Sequence, residues 1–170
     1  MPAEARGLLL EMFEAAVAAA HPRTCLAPHL PPVPAKGRLI VLCAGKAASA
    51  MASVAEAHYR AAGIGDRLTG VATAPQGYAA AYAGTRPERL EILEGRHPTP
   101  DETSLAAAER ALELARSAGA DDTVLVLLSG GASALWAAPA VGLDLAAKTA
   151  LTRGLLKSGA DIHEMNAVRR

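Results

Sequence analysis

The sequence predicts an α/β fold, a parallel β-sheet covered by helices on both faces. Short apolar runs alternate along the chain with helical stretches, which is the order of successive βαβ units. Two of the runs, Leu39–Leu42 and Val124–Leu128, are almost continuously apolar, as central parallel strands buried on both sides are. Both runs end in a glycine-bearing loop, Ala44-Gly45-Lys46 and Ser129–Ser133. In such sheets, ligands bind at the carboxyl ends of strands, near a switch in strand order.

Each element has its own justification. Residues 3–20 read as an amphipathic helix, with Leu9, Leu10, Phe13 and Val17 near helical spacing and Glu4, Glu11 and Glu14 opposite. "HPRTCLAPHLPPVPAKG" follows as a proline-rich linker that neither helix nor central strand accommodates. "RLIVLCAG", Arg38–Gly45, is a short buried strand, and the alanine-rich "KAASAMASVAEAHYRAAG" is a helix opened by Lys46 and ending near Gly63. "RLTGVATAP" and "RLEILEG" are the second and third strands. "GRHPTPD" is a turn fixed by Pro98 and Pro100, after which Asp101 or Thr99 caps a helix that ends before Gly119. "DDTVLVLL" is the fourth strand. Helical pattern returns over residues 143–157, breaks at Gly159, and resumes near Asp161. This divides the chain into residues 1–36, a helix and linker packing on the body, and residues 37–170, the α/β body itself.

Composition narrows the function. A length of 170 residues suits one domain with a real core, and 51% hydrophobic residues is a globular proportion. Aromatics are only 3%, so the core must be built from Ala, Leu, Val and Ile. Seventeen basic residues balance seventeen acidic ones, which leaves no electrostatic footprint for nucleic acid or an anionic membrane and points to a small partner. The N-terminal glutamates do not belong in a signal peptide, and Val124–Leu143 is too interrupted by Gly, Ser and Pro to span a bilayer. Cys25 and Cys43 lack metal-ligand spacing, as do His21, His29, His58 and His163, so no metal site is expected among them; a reducing cytoplasm fits. Cys43 should behave as a small hydrophobe.

Three segments have residues suited to anion chemistry. In "CAGKAASAMA", Gly45 allows a tight turn after a strand and Lys46 sits at a helix N-terminus, where free N–H groups and an ammonium converge. This is not a phosphate-binding P-loop, because Ile40 and Ala47 occupy its required Gly and Ser/Thr positions, and no G-x-G-x-x-G dinucleotide fingerprint occurs. An exposed lysine at an ordinary turn is the alternative. "SGGAS", Ser129–Ser133, leaves N–H donors and hydroxyls unshielded and reads either as a nest for phosphate or carboxylate or as a plain Gly-Gly turn. "GRHPTPD" sets Arg96 and His97 at a strand end, beside a rigid turn. "DIHEMNAVRR" alone reads as a polar helix face.

Taken together and in order, "LCAGKAASAMA", "EGRHPTPDE", "LLSGGASALWAAP" and "LLKSGADIHEMNAVRR" resemble the N-terminal part of the glycerate 2-kinase family, whose members have often been called hydroxypyruvate reductases. The resemblance implies a Rossmann-like three-layer α/β domain that forms the N-terminal part of a two-domain enzyme. It implies ATP-dependent phosphorylation of D-glycerate at its 2-hydroxyl, with Mg2+ as cofactor. Lys46 matches the family's active-site lysine. Gly45, Ser129, Gly130, Gly131 and Ser133 match its glycine-bearing loops, Arg96 and His97 its "GHP" turn, and Asn166 and Arg169 its "N-x-V-R" segment. Ala132 stands where relatives carry a third glycine, which bears on a position needing positive φ. Tyr78 stands where many carry a His. Relatives are much longer, so this chain is expected to be truncated and inactive alone. A nicotinamide-dependent hydroxypyruvate reductase and a non-catalytic anion-binding domain are the alternatives, and the oligomeric state stays open.

Overall fold

A computed structural model describes residues 3–169, with the side chains of residues 4–168. Four parallel strands form one sheet in the order β3-β2-β1-β4: β1 (Leu39–Ala44), β2 (Leu68–Pro75), β3 (Leu90–Gly95) and β4 (Thr123–Leu128). The chain steps outward from β1 to β2 and β3, then returns to pair β4 with the opposite edge of β1. The switch in strand order therefore lies between β1 and β4, as the two glycine-bearing loops required.

β1 is the anchor. All six of its residues are buried, and its side chains alternate between two cores. Leu39, Val41 and Cys43 face α3 (Ala48–Ala61), while Ile40 and Leu42 face α5 (Glu102–Arg116). Each fully buried aliphatic side chain contributes about 1.5–3 kcal/mol, so this strand alone offsets much of the cost of ordering it. Ala48, Ala52 and Ala55 of α3 are fully covered and let the helix axis approach the sheet closely. Tyr59 fills the end of that interface and donates through its hydroxyl to Pro31 O at 2.9 Å, which fastens the linker to the body. Asp101, rather than Thr99, caps α5, accepting from Thr103 N and Ser104 N.

Several expectations need correction. β4 is an edge strand, and Val124, Val126 and Leu128 are 39%, 49% and 61% exposed. Leu127 is buried toward α3, but among the described residues no helix after β4 returns over the other face. A continuous apolar run reports that a strand favours burial, not that both faces are covered in a given chain. α1 (Ala3–Ala20) forms where expected, yet Leu9, Leu10, Phe13 and Val17 are at least 46% exposed and α1 touches mainly α2 (Pro22–Cys25). The linker is not wholly irregular: Pro22 starts the one-turn α2, where its missing N–H costs nothing, and a 3-10 turn follows at Ala27–His29. Leu26 and Leu30 from this segment pack on the core. Lys46 does not open α3, which begins at Ala48; Lys46 and Ala47 belong to the preceding turn. α4 (Tyr78–Ala81), α6 (Ala132–Leu135), α7 (Leu145–Ser158) and α8 (Ile162–Arg169) complete the chain.

Candidate functional site

The strand registers place three loops side by side. Ala44 pairs with Leu128 on one side and Thr73 on the other, and Pro75 pairs with Gly95, so the turns after β1, β3 and β4 leave the same edge of the sheet. The loops after β1 and β4 are bonded directly to each other. Lys46 N donates to Gly130 O at 3.0 Å, Ala47 N to the Ser129 hydroxyl at 3.0 Å, and Ser129 N to Ala44 O at 2.9 Å.

That contact explains Gly45. Its φ is +122°, and a Cβ there would run into the Ser129 side chain and lie 2.6 Å from Ser129 O. Gly45 is thus needed for both its conformation and the close approach of the second loop. The same geometry changes the reading of Ser129. Its hydroxyl oxygen already accepts from Ala47 N, so it holds the start of α3 rather than offering itself to a ligand.

Gly131 has φ +95°, and a Cβ built on it would meet the His97 ring at 2.9 Å from Cδ2 and 3.0 Å from Nε2. The β4 loop therefore lies against the β3 turn through a glycine–imidazole contact. No non-glycine residue has positive φ, so Ala132 in the third glycine position is helical and unstrained as the first residue of α6. Gly130 differs from both other glycines: it has no positive φ, and a Cβ there would meet nothing within 4 Å. In the bonds that tie the loops, Gly130 and Gly131 take part only through their carbonyl oxygens.

Lys46 projects on the exposed side of this junction. The His97 imidazole is held below its ordinary pKa, first by partial removal from water and then by the nearby Lys46 ammonium. Both causes disfavour the protonated imidazole at this junction. Arg96 is exposed, while its backbone is pinned in both directions by the buried Ser104: Arg96 N donates to Ser104 Oγ at 3.0 Å and Ser104 Oγ donates to Arg96 O at 3.2 Å. Behind the site, Trp136 Nε1–H donates to the Thr73 hydroxyl at 3.0 Å, which ties the end of α6 to β2.

The structure thus brings together Lys46, His97, Gly45, Ser129, Gly130 and Gly131, with Arg96 adjoining. Ser133 lies exposed in the first turn of α6. Asn166 is exposed on α8 and enters none of the bonds that join the loops. The side chain of Arg169 lies outside the described residues. Sequence reading passed over Ser104, Thr73 and Trp136, whose only signals were a polar residue in an apolar stretch and the single Trp of the chain. Among the described residues no group of three or more His, Cys, Asp or Glu side chains could hold a metal ion, and no helix is long and apolar enough to cross a membrane.

Comparisons with known proteins match nearly the whole of the chain. Residues 8–170 match the family model described as Domain of unknown function (DUF4147). A protein of Agrobacterium vitis named "Putative hydroxypyruvate reductase" is 42% identical over 98% of this chain, which covers 36% of that relative. A "D-glycerate 2-kinase" of Thermotoga maritima is 36% identical over 99% of this chain and 38% of its own length. The crystal structure of a glycerate kinase from Thermotoga maritima superimposes with a TM-score of 0.79 at 35% identity, again with 99% of this chain and 38% of that one. The chain therefore spans little more than a third of the length of these relatives.

Proposed function

Because the chain belongs to the DUF4147 family, we propose that it carries the phosphate-handling half of a glycerate 2-kinase, an enzyme that transfers the γ-phosphoryl group of ATP to the 2-hydroxyl of D-glycerate. The observation that supports this reading best is the junction of Lys46, His97 and the Gly130-Gly131 turn at the topological switch of the sheet. Phosphoryl transfer asks mainly for positioning and for charge stabilisation of the equatorial oxygens. Lys46 supplies the fixed charge. Gly130 offers backbone with no side chain in the way, and Gly131 continues the turn against the His97 ring. Ser129 is a positioning residue, acting through the Ala47 N–H it accepts from. His97 packs its ring against the turn, and its lowered pKa disfavours a second positive charge beside Lys46. Arg96 adjoins on the substrate side; Ser133, Asn166 and Arg169 enter as further ligands from α6 and α8.

The open backbone at Gly130 is what supports ATP as the phosphate donor in this reading. Mg2+, in the resemblance, supplies charge neutralisation at the phosphates; the described residues hold no carboxylate cluster for it, and no residue here is assigned to bind it. No residue of this chain is assigned to take the proton from the substrate hydroxyl. The unpaired Cys25 and Cys43 suit a reducing compartment, so the reading places the protein in the cytoplasm.

A second reading, hydroxypyruvate reduction with a nicotinamide cofactor, is favoured by the name of the Agrobacterium vitis relative. The two separate in one experiment. Residues 1–170 replace the matching segment of the Thermotoga maritima D-glycerate 2-kinase, and the folded chimera is assayed for ATP consumption with D-glycerate and for NADH consumption with hydroxypyruvate. The kinase reading expects the first and not the second. A chimera that melts cooperatively and consumes only NADH overturns it. The 170-residue chain alone is expected to turn over little, since half a site excludes water poorly.

A further inference from the structure

The turn from Arg96 to Asp101 does more than carry His97. It lines a polar cavity of about 370 Å3, and the residue that faces it from another element is Arg153 of α7. α7 is fastened to this turn, because the Thr149 hydroxyl donates to Pro100 O at 3.3 Å. Arg153 lies one helical turn beyond Thr149, on the same side of the helix, which directs its side chain toward the cavity. Thr152 beside it is buried, so the helix is seated rather than standing free.

The cavity is cationic. Arg96 and Arg153 both line it, and among the described residues neither is in an ion pair. Asp101 also lines it and keeps its negative charge: its Oδ1 is engaged by Thr103 N at 3.0 Å, Thr103 Oγ1 at 2.6 Å and Ser104 N at 3.4 Å, and Arg96 is close enough to help hold its pKa down, so the lining sets two guanidinium groups against one carboxylate. Two guanidinium groups facing one cavity match a planar, bidentate oxyanion. His97 belongs to this cavity and also touches Gly131, so the cavity adjoins the phosphate junction directly.

We infer that the cavity between Arg96 and Arg153 receives the carboxylate of the hydroxy acid whose hydroxyl accepts the phosphoryl group at Lys46. Arg153 is then a specificity-determining residue that the sequence motifs do not mark. The inference rests on the kinase reading for the identity of the acid, and its test separates the two. D-glycerate, glycerol, inorganic phosphate and ATP are titrated calorimetrically into the 170-residue chain, into R153Q and into K157Q. Lys157 is exposed one turn further along α7 and gives the same change of net charge. R153Q should weaken D-glycerate about tenfold, the effect of one lost charge-assisted hydrogen bond, while K157Q stays within about twofold. Glycerol, which lacks the carboxylate, should bind none of the three proteins measurably, and phosphate affinity should be the same in all three. If R153Q binds D-glycerate as the parent does, the inference is wrong and the kinase reading stands. If R153Q loses phosphate affinity instead, the cavity is a phosphate site and the carboxylate assignment is wrong. If the parent binds no D-glycerate but still binds ATP, both the inference and the acid named in the kinase reading fail. Matching melting temperatures show that each variant is folded.

Discussion

Gly130 and Gly131 are adjacent and chemically identical, yet the structure assigns them different tasks, and substitution to alanine tells them apart. At Gly131, φ is +95° and a methyl group would stand 2.9 Å from His97 Cδ2. An L-residue pays about 1–2 kcal/mol for left-handed backbone, and the displaced imidazole adds to that. Gly131→Ala should therefore lower stability by about 2 kcal/mol, a clear shift of the urea midpoint at unchanged slope. At Gly130 the backbone is not left-handed and the space is open. Gly130→Ala should leave stability within about 1 kcal/mol, since removing glycine freedom from the unfolded chain even helps. If phosphate docks on this turn as proposed, however, the methyl group would crowd its approach. Losing one hydrogen bond to a charged group costs about 1.5–3 kcal/mol, which is roughly ten- to a hundredfold in affinity. Urea unfolding and calorimetric titration with ATP, run on both variants, give the four numbers needed. Wild-type ATP affinity in Gly130→Ala would refute the cradle. Wild-type stability in Gly131→Ala would refute the structural account of the turn.

Other residues give independent checks. Asp122 accepts from Arg38 N, from the Arg38 guanidinium and from Gly119 N, and these bonds hold its carboxyl well below the ordinary aspartate range. Its contribution is therefore full above the unfolded pKa near 3.8 and is lost as pH falls through the lower folded value; Asp122→Asn should melt lower at pH 7 and lose part of that acid dependence. Cys43 is buried, with its thiol pushed up to about 12, whereas Cys25 is exposed, so a thiol reagent should label one cysteine in the native chain and two in urea. The His97 ring should titrate below 6.5 by NMR and move back up when Lys46 is replaced by Met, although not fully, because water exclusion is the larger cause. Since the unfolded chain binds that proton more readily, His97 also costs stability as pH drops below 6.5.

Much of this was legible in the sequence because it is set locally. The buried run of β1, the alternation of strands and helices, the Asp101 cap and the glycine turns all follow from short-range pattern and conformational preference. What depends on neighbours was not. β4 has the same apolar run as β1, but only the strand order shows that it is an edge with one open face. α1 has helical spacing, but nothing in that spacing says whether a partner covers it. Ser129 looked like a ligand for an anion because its engagement with Ala47 N spans 82 residues of chain. Arg153 gave no signal, since it is an ordinary basic residue of a helix until Thr149 meets Pro100.

In the proposed function, the loops after β1, β3 and β4 form one oxyanion site around Lys46. The most direct measurement is equilibrium binding of ATP to the 170-residue chain and to Lys46→Met, with melting temperature as the folding control. Lys46 is exposed, so the substitution should leave the melt unchanged. Affinity is expected to fall at least about tenfold, because one charged donor to the phosphates is gone. Equal affinities in two equally stable proteins would contradict it and leave Lys46 an ordinary surface lysine.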